Sequence, residues 1–194
     1  MRSAPEPVLI HQDPALSIAA MARDDRAEDG RGMLLRRLGA GAADFARDAD
    51  GVPMLLGDSR AVSVSHTEEL LVVALCEEGP VGVDAEPLDR RFDAGLFEEY
   101  ALSPLEREAL PRFERVLGLG RREVVLTLWA LKESWTKAAR VPLVPRSTSF
   151  ELDDAGRWRK AGSAARFGNF VSCGHIVAYC VIPAAETPGE STRC

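Results

Sequence analysis

Val81-Gly-Val-Asp84-Ala-Glu86 and, after the 44 residues from Ala85 to Leu128, Trp129-Ala-Leu-Lys-Glu-Ser-Trp-Thr-Lys137 are the two stretches on which the reading of this chain turns. The first follows a Gly79-Pro80 turn and alternates like a strand, so Asp84 and Glu86, two residues apart, point to the same face. Two carboxylates about 4 Å apart repel by about 4 kcal/mol at an effective dielectric of 20, a repulsion that a cation between them relieves. Oxygen-only ligands suit Mg²⁺ or Mn²⁺; taken alone, acids at a strand end are more often simply solvated. The second stretch lies in the strongest helical segment, residues 121–140, where Val124, Leu128, Leu131 and Trp135 form one apolar stripe by their 4, 3, 4 spacing. At 100° per residue Glu133 and Lys137 fall away from that stripe, with Trp129 and Lys132 near its edge, so all four are expected to be free to face a site. Glu133 and Lys137 also have the spacing of a surface ion pair, and Lys132 that of a snorkelling side chain.

Outward from these stretches the chain alternates between β-rich and helical segments. Ala61-Val-Ser-Val-Ser65, Leu70 to Cys76 and Val81 to Glu86 read as a three-stranded antiparallel meander. In a similar style, Ser149–Leu152 and Trp158–Lys160 flank the turn-forming Asp153-Asp-Ala-Gly156, and Asn169–Ile182 supplies one or two more strands. The likeness hints at two related halves. Leu16 to Leu38 is expected to be helical with interruptions, and Asp93 to Leu102 to be a short helix. Ser103-Pro-Leu-Glu106 opens another helix with a capping box, which Gly118 and Gly120 end. The tail after about residue 184 is expected to be disordered.

Composition bounds the function. With 24 Lys and Arg against 30 Asp and Glu, the net charge of −6 has the wrong sign for a nucleic-acid partner, and an anionic ligand needs a local basic site. The longest apolar run, Leu70 to Cys76, is far below the about 20 residues of a membrane span. The first 30 residues do not resemble a secretory signal, so a cytoplasmic protein is expected. Cys76, Cys173, Cys180 and Cys194 form no C-x-x-C pair and only three histidines accompany them, which fits reduced thiols better than zinc.

The two opening stretches, in this order and at this separation, resemble the signature of the 4′-phosphopantetheinyl transferases: a Gly-hydrophobic-Asp strand, then an aromatic residue, two positions, Lys-Glu, Ser or Ala, two positions, and Lys. Val64-Ser65-His66-Thr67 resembles the Ser-His turn of the longer, surfactin-type members, and Gly30-Arg-Gly-Met-Leu-Leu-Arg36 resembles their N-terminal arginine helix, so the likeness spans residues 20–152. It implies Mg²⁺-dependent transfer of 4′-phosphopantetheine from coenzyme A to a serine of an apo acyl or peptidyl carrier protein, releasing adenosine 3′,5′-bisphosphate. It further implies Asp84, Glu86 and Glu133 as metal ligands, with Glu133, or a water, as base toward the carrier serine. Lys137 would hold a pyrophosphate oxygen, Ser65 and His66 the phosphates, and Arg23, Arg31 and Arg36 the 3′-phosphate and adenine end. Lys132 joins the coenzyme A set as a further cation.

The resemblance also implies an α/β (α+β) pseudo-dimer of two similar subdomains, 1–86 and 87–194, each a small mainly antiparallel sheet packed on a long helix. Coenzyme A would lie between them, and a monomer is expected. Two positions depart from the pattern: Ala130 replaces a usual Ser, Cys or Thr, and Val52 replaces the lysine of a Gly-Lys-Pro-like turn. They favour the alternative of a degenerate relative that binds coenzyme A or a carrier without transfer. For docking, residues 104–140 carry eight cations and five acids in an otherwise acidic chain. Arg112, Arg115, Arg121 and Arg122 are therefore expected to steer an acidic carrier, with Phe113 and Leu117 adding apolar contact.

Overall fold

The computed structural model describes residues 6–23, 30–41 and 43–184. In chain order it comprises β1 Val8–Gln12, β2 Leu16–Ala22, α1 Gly30–Arg37, β3 Asp44–Arg47, β4 Pro53–Leu56, β5 Ala61–His66, β6 Leu70–Cys76 and β7 Val81–Pro87. Then follow α2 Ala94–Ala101, α3 Pro104–Leu117, α4 Arg121–Ala139, β8 Phe150–Leu152, β9 Trp158–Lys160, β10 Arg166–Ser172 and β11 His175–Val181. Strands that bury both faces dominate the interior. In β7, Val81, Val83 and Ala85 face one way and Gly82, Asp84 and Glu86 the other, and every one of these six is buried.

Two antiparallel sheets, ordered β1-β2-β6-β5 and β10-β11-β7, share one core. There Leu16, Ile18, Leu70 and Val72 of the first sheet meet Val81, Val83, Val177 and Val181 of the second. The other face of the first sheet, through Ala19, Met21, Val62 and Val73, packs on Leu34 and Leu35 of α1. On the second sheet the other face, through Ile176, Ala178 and Cys180, packs on α4, which in turn meets Leu110 and Phe113 of α3. The outcome is an α/β fold in layers, with the signature helix as the backing of the second sheet.

Three expectations change. Leu16–Ala22 is a strand, because a central strand covered on both faces keeps no polar side, and its alanines then read as helix formers. The meander stops after two strands: β7 leaves β6 and pairs with β11. Its other edge meets β5 through side chains, since Ser63 Oγ accepts from Val83 N at 3.0 Å and Ser65 Oγ from Ala85 N at 3.3 Å. The sheets therefore divide between β6 and β7, so strand pairing sets residues 81–86 with the C-terminal elements. The first sheet packs on a helix of only eight residues rather than a long one. By contrast α2, the Ser103–Glu106 capping box and the left-handed cap at Gly118 lie where the sequence indicates. The tail after residue 184 and Cys194 lie outside the described residues. Among the described residues no helix is long and apolar enough to cross a membrane.

Gly82 sets the distance between β7 and α4. A Cβ there would overlap the Ser134 carbonyl oxygen and stand 2.8 Å from its carbon and 2.9 Å from Ala138 N, so only glycine lets the helix backbone lie this close to the strand.

Candidate active site

Where β7 and α4 come close, the face of β7 carrying Asp84 and Glu86 meets Glu133 and Lys137, one helical turn apart on α4. Lys137 Nζ donates to Asp84 Oδ1 at 2.8 Å and to the Val83 carbonyl at 3.0 Å. From β5, Ser65 Oγ donates to the same Oδ1 at 3.0 Å, while Asp84 Oδ2 is buried without a partner. Glu86 Oε2 accepts from Arg90 Nη1 at 2.6 Å. Burial raises the pKa of the Glu86 carboxyl, opposed by the Arg90 hydrogen bond and reinforced by the charge of Asp84. Burial likewise raises that of Glu133; the charges of Asp84 and Glu86 add to the rise and that of Lys137 opposes it. The charge of Asp84 thus reaches both glutamates.

This donor set suits a hard divalent cation. It is all oxygen, it is mutually repulsive, and it includes a buried carboxylate oxygen left without a hydrogen bond. Among the described residues no three acidic, histidine or cysteine side chains close into a preformed cage.

Above the carboxylates opens a cleft of about 1250 Å³ between the two sheets' outer elements. Ser65, His66 and Lys137 line it, and so do Arg23, Arg31 and Arg36. The Arg31 guanidinium lies 5.2 Å from the centre of the Phe45 ring. The Ser65-His66-Thr67 segment is braced from below. Thr67 Oγ1 accepts from the Glu69 and Leu70 amides at 3.2 and 3.0 Å and stands 3.0 Å from Nε2 of the buried His175, while Arg23 Nη1 donates to the Thr67 carbonyl at 2.9 Å. Because His175 Nδ1 lies 2.8 Å from the Cys173 carbonyl, it is the donor nitrogen, and Nε2 receives the Thr67 hydroxyl.

Two cations of the cleft, Arg47 and Arg90, escaped sequence reasoning, as did His175. Arg47 precedes the turn in which Val52 replaces lysine; Val52 does not line the cleft, whereas Arg47 does. Arg90 lies four residues after Glu86 in a turn, a spacing that signals a pair only in a helix.

Lys132 is a correction. It does not reach the cleft but is fully buried, donating to Glu106 Oε2 at 2.6 Å and to the carbonyls of Ala101 and Pro145 at 2.8 and 2.6 Å. Glu106 also accepts from Ser103 N at 2.8 Å and Phe150 N at 2.9 Å, so the ion pair ties α4 to the ends of α2 and α3 and to β8. The edge of the helical stripe is therefore covered by α2 and α3, which a helical wheel does not show. Trp129 is likewise largely buried, against the rings of Phe97 and Tyr100.

The four docking arginines lie outside the cleft. Arg121 is held by both carboxylate oxygens of Glu98, each at 2.8 Å, Arg122 sits 4.2 Å from the Phe92 ring centre, and Arg112 stands 3.9 Å from Asp154. Arg115 is exposed. Phe113 is 1% exposed and cannot offer apolar contact to a partner; Leu96, Tyr100, Leu105 and Val116 are the large apolar side chains exposed on α2 and α3.

No curated protein matches the chain. The family model of the 4′-phosphopantetheinyl transferase superfamily matches residues 80–180, from the turn before β7 almost to the end of β11. That span holds Asp84, Glu86, Glu133 and Lys137 together with the close β7–α4 approach that joins them. Matched over more than half its length by that model, the chain belongs to the 4′-phosphopantetheinyl transferase superfamily.

Proposed function

We propose that this chain transfers the 4′-phosphopantetheine arm of coenzyme A to a serine hydroxyl of an apo acyl or peptidyl carrier protein, in the surfactin-type manner and with Mg²⁺ or Mn²⁺. The observation that carries the reading is the convergence of Asp84, Glu86, Glu133 and Lys137 on the floor of a cleft rimmed by arginines. When bound by the three carboxylates, the metal ion supplies charge neutralisation at the pyrophosphate. Lys137 holds a pyrophosphate oxygen, and Ser65 and His66 steady the phosphates. Arg23, Arg31 and Arg36 take the 3′-phosphate and adenine end. Glu133, directly or through a water, accepts the proton of the carrier serine as its oxygen bonds to the β-phosphorus. The bond to the bridging oxygen breaks, and adenosine 3′,5′-bisphosphate leaves with the electron pair.

The test is the intact mass of an apo carrier protein incubated with coenzyme A, Mg²⁺ and this chain. A gain of one phosphopantetheinyl group is expected. An unmodified panel of fatty-acid, polyketide and peptide carriers, with coenzyme A bound to the chain, would make it a non-catalytic binder instead.

A further inference from the structure

Each acidic group on β7 already has a cation of its own. Lys137 takes Asp84, and Arg90 takes Glu86 at 2.6 Å with side-chain exposures of 36% and 11%. Each of these cations also has a second anchor that is not a carboxylate. For Lys137 it is the Val83 carbonyl at 3.0 Å. For Arg90 it is the face of Phe97 on α2, whose centre lies 5.2 Å from the guanidinium carbon, on a turn closed by Arg90 N donating to the Pro87 carbonyl at 3.1 Å. A cation anchored twice can lose its carboxylate without leaving the site. Both side chains line the cleft.

We propose that Arg90 is a held counter-cation: it neutralises Glu86 while no metal is bound and, once that carboxylate is taken by a divalent cation, presents its guanidinium, still seated on Phe97, to the phosphates in the cleft. This rests on the metal and coenzyme A reading above. At equal distance a doubly charged ion attracts a carboxylate twice as strongly as a guanidinium, so the exchange runs toward the metal. The freed fork of N–H donors matches phosphate geometry in a way that an ammonium does not. Arg90 thus prevents an uncompensated acidic cluster before the metal binds and adds a phosphate ligand afterwards. A merely structural Arg90, bracing its turn through Glu86, would do neither.

Two titrations test it, on the wild-type chain, Asp84→Asn, Arg90→Ala and Arg90→Lys. In the first, Mn²⁺ is added without coenzyme A and the free ion is read by electron paramagnetic resonance. Removing the competing cation makes Arg90→Ala bind Mn²⁺ about threefold tighter or more, and Arg90→Lys close to wild type. In the second, coenzyme A is titrated calorimetrically with Mn²⁺ saturating. Affinity falls about tenfold in Arg90→Ala and part of the way in Arg90→Lys. Unchanged or weaker Mn²⁺ binding by Arg90→Ala, or unchanged coenzyme A binding, overturns the inference while leaving the metal reading intact. Equal Mn²⁺ binding by wild type and Asp84→Asn overturns the metal reading, and the inference with it.

Discussion

Gly82→Ala is the sharpest perturbation of the site that touches no charged group. The added methyl collides with backbone atoms of Ser134 and Ala138, which cannot rotate away, so β7 and α4 must separate. Lifting the 2.8–2.9 Å approaches to an ordinary carbon contact of about 3.5–4 Å, and clearing the still closer Ser134 carbonyl oxygen, requires a retreat of at least about 1 Å. The same shift stretches the 2.8 Å bond from Lys137 to Asp84 beyond hydrogen-bonding range and displaces Glu133 from the carboxylates of β7. Overpacking of this kind costs about 1–3 kcal/mol, equivalent to a fall in Tm of roughly 2–12 °C for a chain of this size. A misplacement of about 1 Å at a reacting centre lowers turnover by roughly 10²-fold. Urea unfolding, read at the midpoint and slope, gives the first quantity, and phosphopantetheine transfer to a carrier gives the second. A Gly82→Ala chain with wild-type midpoint and full transfer would show that α4 does not need this close approach, and the account of how the site is assembled would fail.

Lys132→Met should cost about 3–5 kcal/mol by urea unfolding, because it strands Glu106 in the core. A rise in KM for coenzyme A at unchanged stability would restore Lys132 to the cleft. Asp84→Ala should abolish transfer with the fold intact by circular dichroism, and full-rate transfer by chelated protein would refute the metal assignment. Glu133→Gln should lower kcat far more than it raises KM for coenzyme A, whereas Lys137→Ala should raise that KM as well; equal and small effects would leave a surface ion pair. Since Arg121 and Arg122 already hold Glu98 and Phe92, Arg115→Glu is the cleaner docking test. It should raise KM for the carrier and flatten its salt dependence, leaving that for coenzyme A unchanged, and an unchanged carrier constant at low salt would remove Arg115 from the docking surface.

The placement of the candidate site's residues on their own strand and helix was legible in the sequence because it is local. A period of two puts Asp84 and Glu86 on one face, a period of 3.6 puts Glu133 and Lys137 on another, and helix ends are marked by Ser103, Glu106 and Gly118, whose capping depends only on neighbours in the chain. Gly82 was visible as a motif residue, but the helix backbone that requires it was not. What only tertiary structure decided is where each periodic face finds its partner. The exchange of β7 from β6 to β11 depends on a strand nearly 100 residues away, and the alanine-rich Leu16–Ala22 becomes a strand because layers cover both its sides. Lys132 and Glu133 are adjacent, yet a rotation of about 100° sends one into a sealed ion pair under α3 and the other to the cleft. Sequence spacing sets the direction of a side chain relative to its own helix; the elements packed around that helix determine whether the direction leads to solvent, substrate or core.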